Sequence, residues 1–398
     1  MGGSRRKKST KEQNQASQEQ SQSSISIGAE IADAYAKIAS GQIGQVSQQV
    51  QQQEVEMPVT TMIGGLTLFS ITKEENLELP VQEIAGVGKV TAAKLEEVGI
   101  TKVKHLIMYS PTELSKLTGI DIDRCRDIIR RAKELVGYRE FVTAFELEQK
   151  LTKCGKLKSH SKIDDLVGGG LRPMAIYELI GEFGAGKTQF CHQVSVTVQL
   201  PIEKGGLYGA VVYIDTEGTF STSRIRQIAS RFGLPPEEVL KNIVYARVLS
   251  TDQLEEVILQ LPIISEKLKK ECKRDVKLVV IDSFVAPFRA EYPGRENLPA
   301  RAQKMSSILS KLLKFLWING AVGVITNQIQ SHPDIRTTTD TVEPGKRPWG
   351  GSVLAHSATY RIWLSKERKE GLRKARILDA PDLPEKEVEF RITDYGIE

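Results

Sequence analysis

The sequence predicts an α/β protein in which a core with a mostly parallel central sheet follows a small all-α domain and a disordered N-terminal tail. From residue 151 onward, short β-branched runs alternate with helical segments, a pattern typical of a parallel sheet covered by helices. Two helical repeats with glycine turns precede this region. The first 56 residues are rich in glutamine and serine and cannot bury a core.

The composition is that of a globular chain with two or three domains. Its 398 residues are 40% hydrophobic and 26% charged, and the net charge of +5 is small for this length. Any affinity for nucleic acid must therefore come from local basic surfaces. No apolar stretch approaches the roughly 18 residues of a membrane span, and the N-terminus lacks a signal-like core. We expect a cytosolic protein without a membrane partner.

Cysteine usage fits a reducing compartment, because the four cysteines are far apart and form no metal-ligand pair or disulfide framework. We expect free thiols at Cys125, Cys154, Cys191 and Cys272. Changes in composition along the chain predict four segments: a tail over residues 1–75, the helical domain over 76–138, a linker over 139–150 and the core over 151–398.

The helical domain contains a tight glycine turn, Ile84-Ala85-Gly86-Val87-Gly88, with helical apolar spacing after it. A similar outline recurs around Gly119, so the sequence predicts paired helix-hairpin-helix units. Backbone amides at Gly86 and Gly88 would grip a DNA phosphate without reading sequence, and Lys89 would support them. A helical domain used only for packing or protein contacts stays open, since the second repeat lacks its second glycine.

The most specific motif of the core is a phosphate loop, G-x-x-x-x-G-K-[ST], directly after an apolar run. It consists of Gly181, Glu182, Phe183, Gly184, Ala185, Gly186, Lys187 and Thr188. Glycines let consecutive N–H groups surround phosphate oxygens at a helix N-terminus, lysine adds a charge, and the threonine hydroxyl ligates Mg²⁺. The chain is therefore expected to bind a nucleoside triphosphate with magnesium.

Polar residues follow the other predicted strands, and strand ends are where ligands bind in such sheets. Asp282 ends an apolar strand and is expected to hold Mg²⁺ with Thr188, although an acid there is otherwise often a helix cap. Glu217 is placed to orient and deprotonate an attacking water, with capping of the helix near Ser223 as the alternative. Gln328 is a candidate contact to the γ-phosphate.

With these residues in view, the chain resembles RecA-superfamily recombinases of the archaeal RadA type and is similar to the eukaryotic strand-exchange proteins. The resemblance covers residues 76–398 and is most specific at residues 181–189, 213–220, 288–295, 325–328, 355–359 and 379–384. It implies a RecA-like phosphate-loop ATPase core that binds ATP, with Gln189 in its nucleotide site. It further implies that Arg224 contacts the adenine, that Asp379 and Pro384 cap the nucleotide of a neighbouring subunit, and that Gln328 senses the γ-phosphate.

The resemblance also assigns two loops to single-stranded DNA, here residues 289–301 and 329–350. Arg289, Arg295 and Arg301 offer guanidinium groups to phosphates, and the threonine-rich second loop is suited to separating bases. One departure is Glu296, where RadA proteins usually have glycine; its carboxylate repels phosphate and weakens the assignment of Arg295.

The predicted linker contains Phe141-Val142-Thr143-Ala144, a common pattern in itself. In the family that it resembles, Phe141 and Ala144 would join the next protomer by adding an edge strand. Head-to-tail contacts of this kind build an open helical filament unless a ring closes.

The resemblance implies a DNA-dependent ATPase that forms filaments on single-stranded DNA and catalyses homologous pairing and strand exchange. Its expected partners are single- and double-stranded DNA and further copies of itself. Recombination mediators are a further candidate class of partner. The alternative is a mediator or paralogue that binds ATP and DNA without exchanging strands. A hexameric helicase is disfavoured by the hairpin domain and by the segment around Asp379.

Overall fold

The computed structural model describes residues 62–63, 66–67, 74–136, 143–294, 296–331, 346–367, 369 and 371–398. The chain divides into two units, Met1–Phe69 and Ser70–Glu398. In the first unit the described residues form two antiparallel strands, β1 (Met62–Ile63) and β2 (Leu66–Thr67). The predicted disordered tail otherwise lies almost entirely outside the described residues.

The helical domain has five α-helices with short connections. They are α1 (Glu74–Leu77), α2 (Lys89–Glu97), α3 (Val103–Met108), α4 (Pro111–Thr118) and α5 (Ile122–Leu135). A capping box between Ser110 and Glu113 starts α4, and Gly119 ends it in the left-handed conformation. The side chain of Asp121 then accepts two backbone N–H groups at the start of α5.

The first hairpin differs from its prediction, because a 3-10 turn (Val81–Glu83) stands where a helix was expected before the glycines. Pro80 precedes this turn, and a proline both lacks an N–H and disfavours the helical conformation at the residue before it. Gly86 has φ +87°, a conformation that glycine adopts without strain.

The predicted linker is helical over much of its length, since α6 (Ala144–Cys154) starts inside it. Thr143 and Glu146 form a capping box that nucleates this helix, a signal present in the sequence. Ala144 is thus the first residue of a helix, and Phe141 lies outside the described residues.

The core contains a nine-stranded sheet in the order β13-β12-β11-β10-β3-β7-β6-β4-β5. The six strands from β10 to β5 are parallel, and the other three add antiparallel pairs, which confirms the predicted mostly parallel sheet. Its strands are β3 (Ala175–Gly181), β4 (Ala210–Asp215), β5 (Ile243–Arg247), β6 (Val276–Asp282), β7 (Val322–Asn327), β10 (Tyr360–Lys366), β11 (Leu372–Asp379), β12 (Glu387–Thr393) and β13 (Gly396–Ile397). A separate hairpin pairs β8 (Ile329–Ser331) with β9 (Lys346–Pro348).

Helices cover both faces of this sheet, as the alternation of strands and helices predicts. They are α7 (Ile163–Leu166), α8 (Lys187–Thr197), α9 (Thr222–Arg231), α10 (Pro236–Lys241), α11 (Thr251–Cys272), α12 (Ala286–Glu291), α13 (Leu298–Asn319) and α14 (Gly351–Ser357), with a 3-10 turn at Ile202–Lys204. Alternate residues of β3 enter two apolar clusters: Ile176 lies with α11 and α13, and Tyr177 lies with α8.

The helical domain docks on α11 and α13 and shares one apolar cluster with them. Tyr109 donates a hydrogen bond to the carbonyl of Leu259 at 2.9 Å. Buried Glu266 pairs with Lys102 at 2.6 Å and with Lys104 at 2.8 Å. Farther along α11 and α13, Lys311 bridges Glu113 and Glu255.

Two further features of the structure concern the length of its helices and the burial of its cysteines. Within the described ranges, no helix combines the length and apolarity needed to cross a membrane. Of the four cysteines, Cys125 and Cys191 are buried, and Cys154 and Cys272 are partly buried.

Candidate nucleotide site

Parallel pairing brings the carboxyl ends of four strands to one edge of the sheet. Ile180 of β3 lies beside Asn327 of β7, and Asp215 of β4 lies beside Asp282 of β6. Because the phosphate loop leaves β3 at this edge, the polar residues that follow each strand lie around it. The geometry is that of the ligand crevice of an open α/β sheet.

The phosphate loop connects β3 to the N-terminus of α8, as predicted. Lys187 Nζ donates to the carbonyl oxygens of Gly181 at 2.7 Å and of Glu182 at 2.9 Å. Burial lowers the pKa of Lys187, while the negative charges of Asp282 and Glu217 oppose this shift. Ala185 is buried, but 96% of the Phe183 side chain is exposed.

Local backbone geometry explains the glycines and tests whether a triphosphate fits. Gly184 has φ +74° and Gly186 has φ +112°. A residue with a Cβ atom is strained at these positive φ values, which favours glycine at both positions. The loop is therefore a backbone cradle at a helix start, and the partly buried ammonium of Lys187 donates to neutral backbone carbonyls. This donor set suits phosphate.

Asp282 is buried, with 1% exposure, and two hydroxyls hold it. Tyr213 donates to Oδ2 at 3.1 Å and Thr326 donates to Oδ1 at 2.6 Å. A carboxylate oriented in this way suits Mg²⁺, a cation that prefers oxygen ligands and keeps most of its waters. Sequence reasoning missed both hydroxyls; each stands on a strand next to β6 in the sheet, which the primary structure does not reveal.

Glu217 and Gln328 are in direct contact. The Gln328 side-chain amide donates to Glu217 Oε1, and its oxygen accepts a hydrogen bond from Arg289. Burial raises the pKa of Glu217, and the nearby charge of Asp282 adds to the increase. These three side chains form a row from the candidate catalytic carboxylate to the first residue of the predicted first DNA loop.

Asp215 shapes the turn that presents Glu217. Its carboxylate accepts the backbone N–H groups of Glu217, Gly218, Thr219 and Phe220 at 2.7 to 3.3 Å. Arg247 lies 3.3 Å from the same carboxylate. This role was missed, although an aspartate two residues before a turn is a known signal for such a loop.

Arg224 lies at the start of α9 and near the turn between β12 and β13. Its guanidinium donates to Gln189 Oε1 at 2.7 Å and to the carbonyls of Thr393 and Asp394 at 2.6 Å. The structure therefore brings together Arg224 and Gln189, two of the residues that the resemblance assigned to the nucleotide.

Asp379 and Pro384 lie away from the phosphate loop of their own chain. Asp379 ends β11 and pairs in register with Arg361 of β10. Arg361 in turn pairs with Glu178 of β3, and Glu178 precedes the first residue of the phosphate loop by three positions. Since β11 runs antiparallel to β10, its end lies toward the opposite edge of the sheet. Contact with a nucleotide would therefore require a second copy of the chain.

The first predicted DNA loop is shorter than expected, because helices occupy both of its ends. Arg289 lies in α12 and Arg301 lies in the first turns of α13, where Pro299 suits the start of a helix. The Arg301 guanidinium lies 4.4 Å from the centre of the Trp349 ring, and burial lowers its pKa. Arg295 lies outside the described residues, and Glu296 follows it.

The second predicted DNA loop is closed at its base by the β8–β9 hairpin. Lys346, in β9, pairs with Glu182 of the phosphate loop at 2.7 Å. The Trp349 N–H donates to the carbonyl of Gln328 at 3.0 Å. Residues 332–345 lie outside the described residues.

Two arginines of α5 donate hydrogen bonds to the first hairpin of the helical domain. Arg131 donates to the carbonyl of Ala85 at 2.7 Å, and Arg124 donates to Thr91 at 2.9 Å. Gly88 caps α2 with open space where a Cβ would lie, and Lys89 is the first helical residue. Gly88 and Lys89 are both exposed, so this helix start faces solvent.

Comparison with known proteins matches two family models to separate parts of the chain. The Rad51 model matches residues 155–398, and the model of a SAM-like helix-hairpin-helix tandem matches residues 78–134. These limits enclose the phosphate-loop core and the paired hairpins.

Three similar proteins are each named DNA repair and recombination protein RadA. The one from Metallosphaera sedula is 43% identical over 318 residues, which is 80% of this chain and 94% of the relative. The one from Aeropyrum pernix is 43% identical over 319 residues, covering 80% and 96%. The one from Ignicoccus hospitalis is 42% identical over 333 residues, covering 82% and 98%.

Proposed function

The chain belongs to the Rad51 family, and from this premise we propose that it is a DNA repair and recombination protein that couples ATP hydrolysis to homologous pairing and strand exchange. The observation that carries the proposal is the row Glu217–Gln328–Arg289, which joins the candidate catalytic carboxylate to a candidate DNA loop.

Nucleotide binding in this proposal uses the backbone cradle of the phosphate loop and the ammonium of Lys187. Thr188 and Asp282 would hold Mg²⁺, which supplies charge neutralisation at the phosphates when bound. Arg224 and Gln189 would contact the base end. Asp379 and Pro384 lie away from the phosphate loop of their own chain, so a second copy would supply them. This supports a nucleotide site that is completed between two protomers.

Hydrolysis would depend on Glu217, which orients an attacking water and accepts its proton. The raised pKa of this carboxylate increases its strength as a base. Gln328 holds it by a hydrogen bond, so any displacement of Gln328 alters the group that activates water. Glu217 and Gln328 would thereby connect the state of the nucleotide to the second loop.

DNA binding would combine two surfaces. Arg289, Arg295 and Arg301 would contact the phosphates of single-stranded DNA, and base pairing would supply sequence specificity. The hairpin amides at Gly86 and Gly88, with Lys89, would contact duplex phosphates. The accessible start of α2 supports the second assignment.

Self-association is supported by a sheet edge that none of the described strands covers. Strand β5 ends the nine-stranded sheet, and Tyr245 within it and Leu249 after it are 44% and 66% exposed. A strand containing Phe141 from another copy would complete this edge. Repetition of that contact builds a filament, or a ring where it closes. We place this assembly on DNA in the cytoplasm.

The proposal is tested by strand exchange between homologous single-stranded and duplex DNA, with ATP, a non-hydrolysable analogue or no nucleotide. We expect joint molecules that require both homology and a triphosphate. A heterologous duplex is the control. ATP-dependent binding to single-stranded DNA without joint molecules would contradict the proposal and support the mediator alternative.

A further inference from the structure

Glu178 is a carboxylate buried in the middle of the sheet. It lies in β3, three positions before the phosphate loop begins, and has 0% exposure. Its neighbours in register are Arg361 of β10 and Ile325 of β7. A charged group in such a position is costly unless hydrogen bonds and an opposite charge compensate it, so its partners indicate its role.

Two donors from the adjacent strands satisfy this carboxylate. Arg361 Nε lies 2.6 Å from Glu178 Oε2, and Asn327 Nδ2 lies 2.6 Å from Glu178 Oε1. Because β10, β3 and β7 are consecutive in the sheet, the three side chains form a buried triad across its centre.

Asn327 also contacts the residues on either side of the β8–β9 hairpin, which closes the second predicted DNA loop. Its Nδ2 also donates to the carbonyl of Trp349 at 2.7 Å, and its Oδ1 accepts the N–H of Gln328 at 2.7 Å. The Trp349 N–H returns to the carbonyl of Gln328 at 3.0 Å. One planar amide therefore fixes the residue before the loop hairpin and the residue after it.

We propose that Glu178, Arg361 and Asn327 are positioning residues that set the place of Gln328 and of Trp349, and so couple the strand bearing the phosphate loop to the base of the second loop. The consequence for DNA response rests on the proposed function; the positioning role does not. Stability alone is a weak reason for such a triad, since apolar residues often replace buried ion pairs without loss.

Asn327→Asp is the most selective change, because it keeps the shape and the Oδ1 acceptor. It removes the donor and places a second carboxylate oxygen against Glu178 Oε1 and the Trp349 carbonyl. The matched control is Asn242→Asp, which alters another buried asparagine, bonded to Gln199 at 3.0 Å directly before the edge strand β5. If Asn327→Asp does not fold, Asn327→Ser removes the donor without adding charge.

The first measurement is amide hydrogen exchange of peptides covering Gln328 and Trp349 in the full chain. We expect exchange at these amides to become at least about tenfold faster in Asn327→Asp or Asn327→Ser, and to stay unchanged in Asn242→Asp. Unchanged exchange in the Asn327 variants, or an equal increase in the Asn242 control, would overturn the positioning role.

The second measurement is ATP hydrolysis with and without single-stranded DNA. We expect the Asn327 variants to retain the KM for ATP within about twofold and to lose about tenfold of the DNA-stimulated kcat. Full stimulation together with fast exchange would overturn the coupling. A wild-type chain that DNA does not stimulate would refute the proposed function instead, and exchange would still decide the role of the triad.

Discussion

Gln328 donates a hydrogen bond to Glu217 across 111 residues of sequence. The two side chains stand at the ends of different strands, and the parallel sheet makes them neighbours. Burial and the nearby negative charge of Asp282 raise the pKa of Glu217. An amide at the base of the second predicted DNA loop therefore touches the carboxylate proposed to accept a proton.

Glu217→Gln should retain nucleotide binding and hydrolyse ATP roughly 10² to 10⁴ times more slowly, because glutamine cannot accept the proton of water. Binding of a fluorescent ATP analogue and steady-state phosphate release measure the two quantities. Glu237→Gln, at an exposed surface position, is the control. Wild-type turnover in Glu217→Gln would remove this residue from the mechanism.

Lys187→Ala should lose most of both nucleotide binding and hydrolysis, since it removes the ammonium from the phosphate cradle. The expected decrease in affinity is about tenfold or more. Isothermal titration with ATP and Mg²⁺ measures it, and thermal unfolding checks the fold. Retained affinity would show that the backbone amides alone bind the phosphates.

Phe141→Ala should abolish assembly, because it deletes the side chain expected to anchor one protomer on the next. Analytical ultracentrifugation of the full chain measures the change, and Val142→Ala in the same segment is the control. Equal sedimentation of Phe141→Ala and the wild-type chain would sink this assignment.

Glu266→Ala should lower the free energy of unfolding by about 2–3 kcal/mol, because Lys104 would lose a buried partner while Glu78 still compensates in part. Urea unfolding at neutral pH measures the difference. Glu271→Ala, at an exposed position of the same helix, should change stability by less than about 0.5 kcal/mol. Equal effects would show that Glu266 adds nothing beyond its surface neighbours.

His192 should make the core sensitive to acid. Burial, with the charge of Arg224, lowers its pKa to about 4, so the folded chain binds this proton less readily than the unfolded chain. Its contribution is complete above about pH 6.5 and falls as the pH decreases toward 4, by up to roughly 3 kcal/mol. His192→Gln should flatten this part of the stability curve relative to His356→Gln. Parallel curves for the two variants would contradict the shift.

Much of the fold follows from local patterns. The apolar runs before the phosphate loop and before Asp282 predicted strands, and the structure has β3 and β6 there. Strand ends of this kind can be located from the local sequence alone. Helix starts were not predicted from their capping boxes, although the sequence contains these signals. The start of α6 is an example, because Thr143 and Glu146 form a capping box within the segment predicted to be a linker.

Other features depend on contacts between distant segments. Tyr213 and Thr326 hold Asp282 from neighbouring strands, and the bond between Asn327 and Glu178 spans 149 residues. No spacing rule predicts such partners, since they follow from strand order. The helical ends of the first predicted DNA loop were not predicted, although Pro299 is a sequence signal for the start of α13.

The shared apolar cluster between the helical domain and α11 has a practical consequence. Two domains that bury one interior together should melt in a single cooperative transition rather than in two steps. Cutting the chain at residue 150 would leave Leu259 and Ile263 facing water, and the isolated ATPase core would tend to precipitate. Soluble expression of that fragment would need polar replacements on this face of the helix.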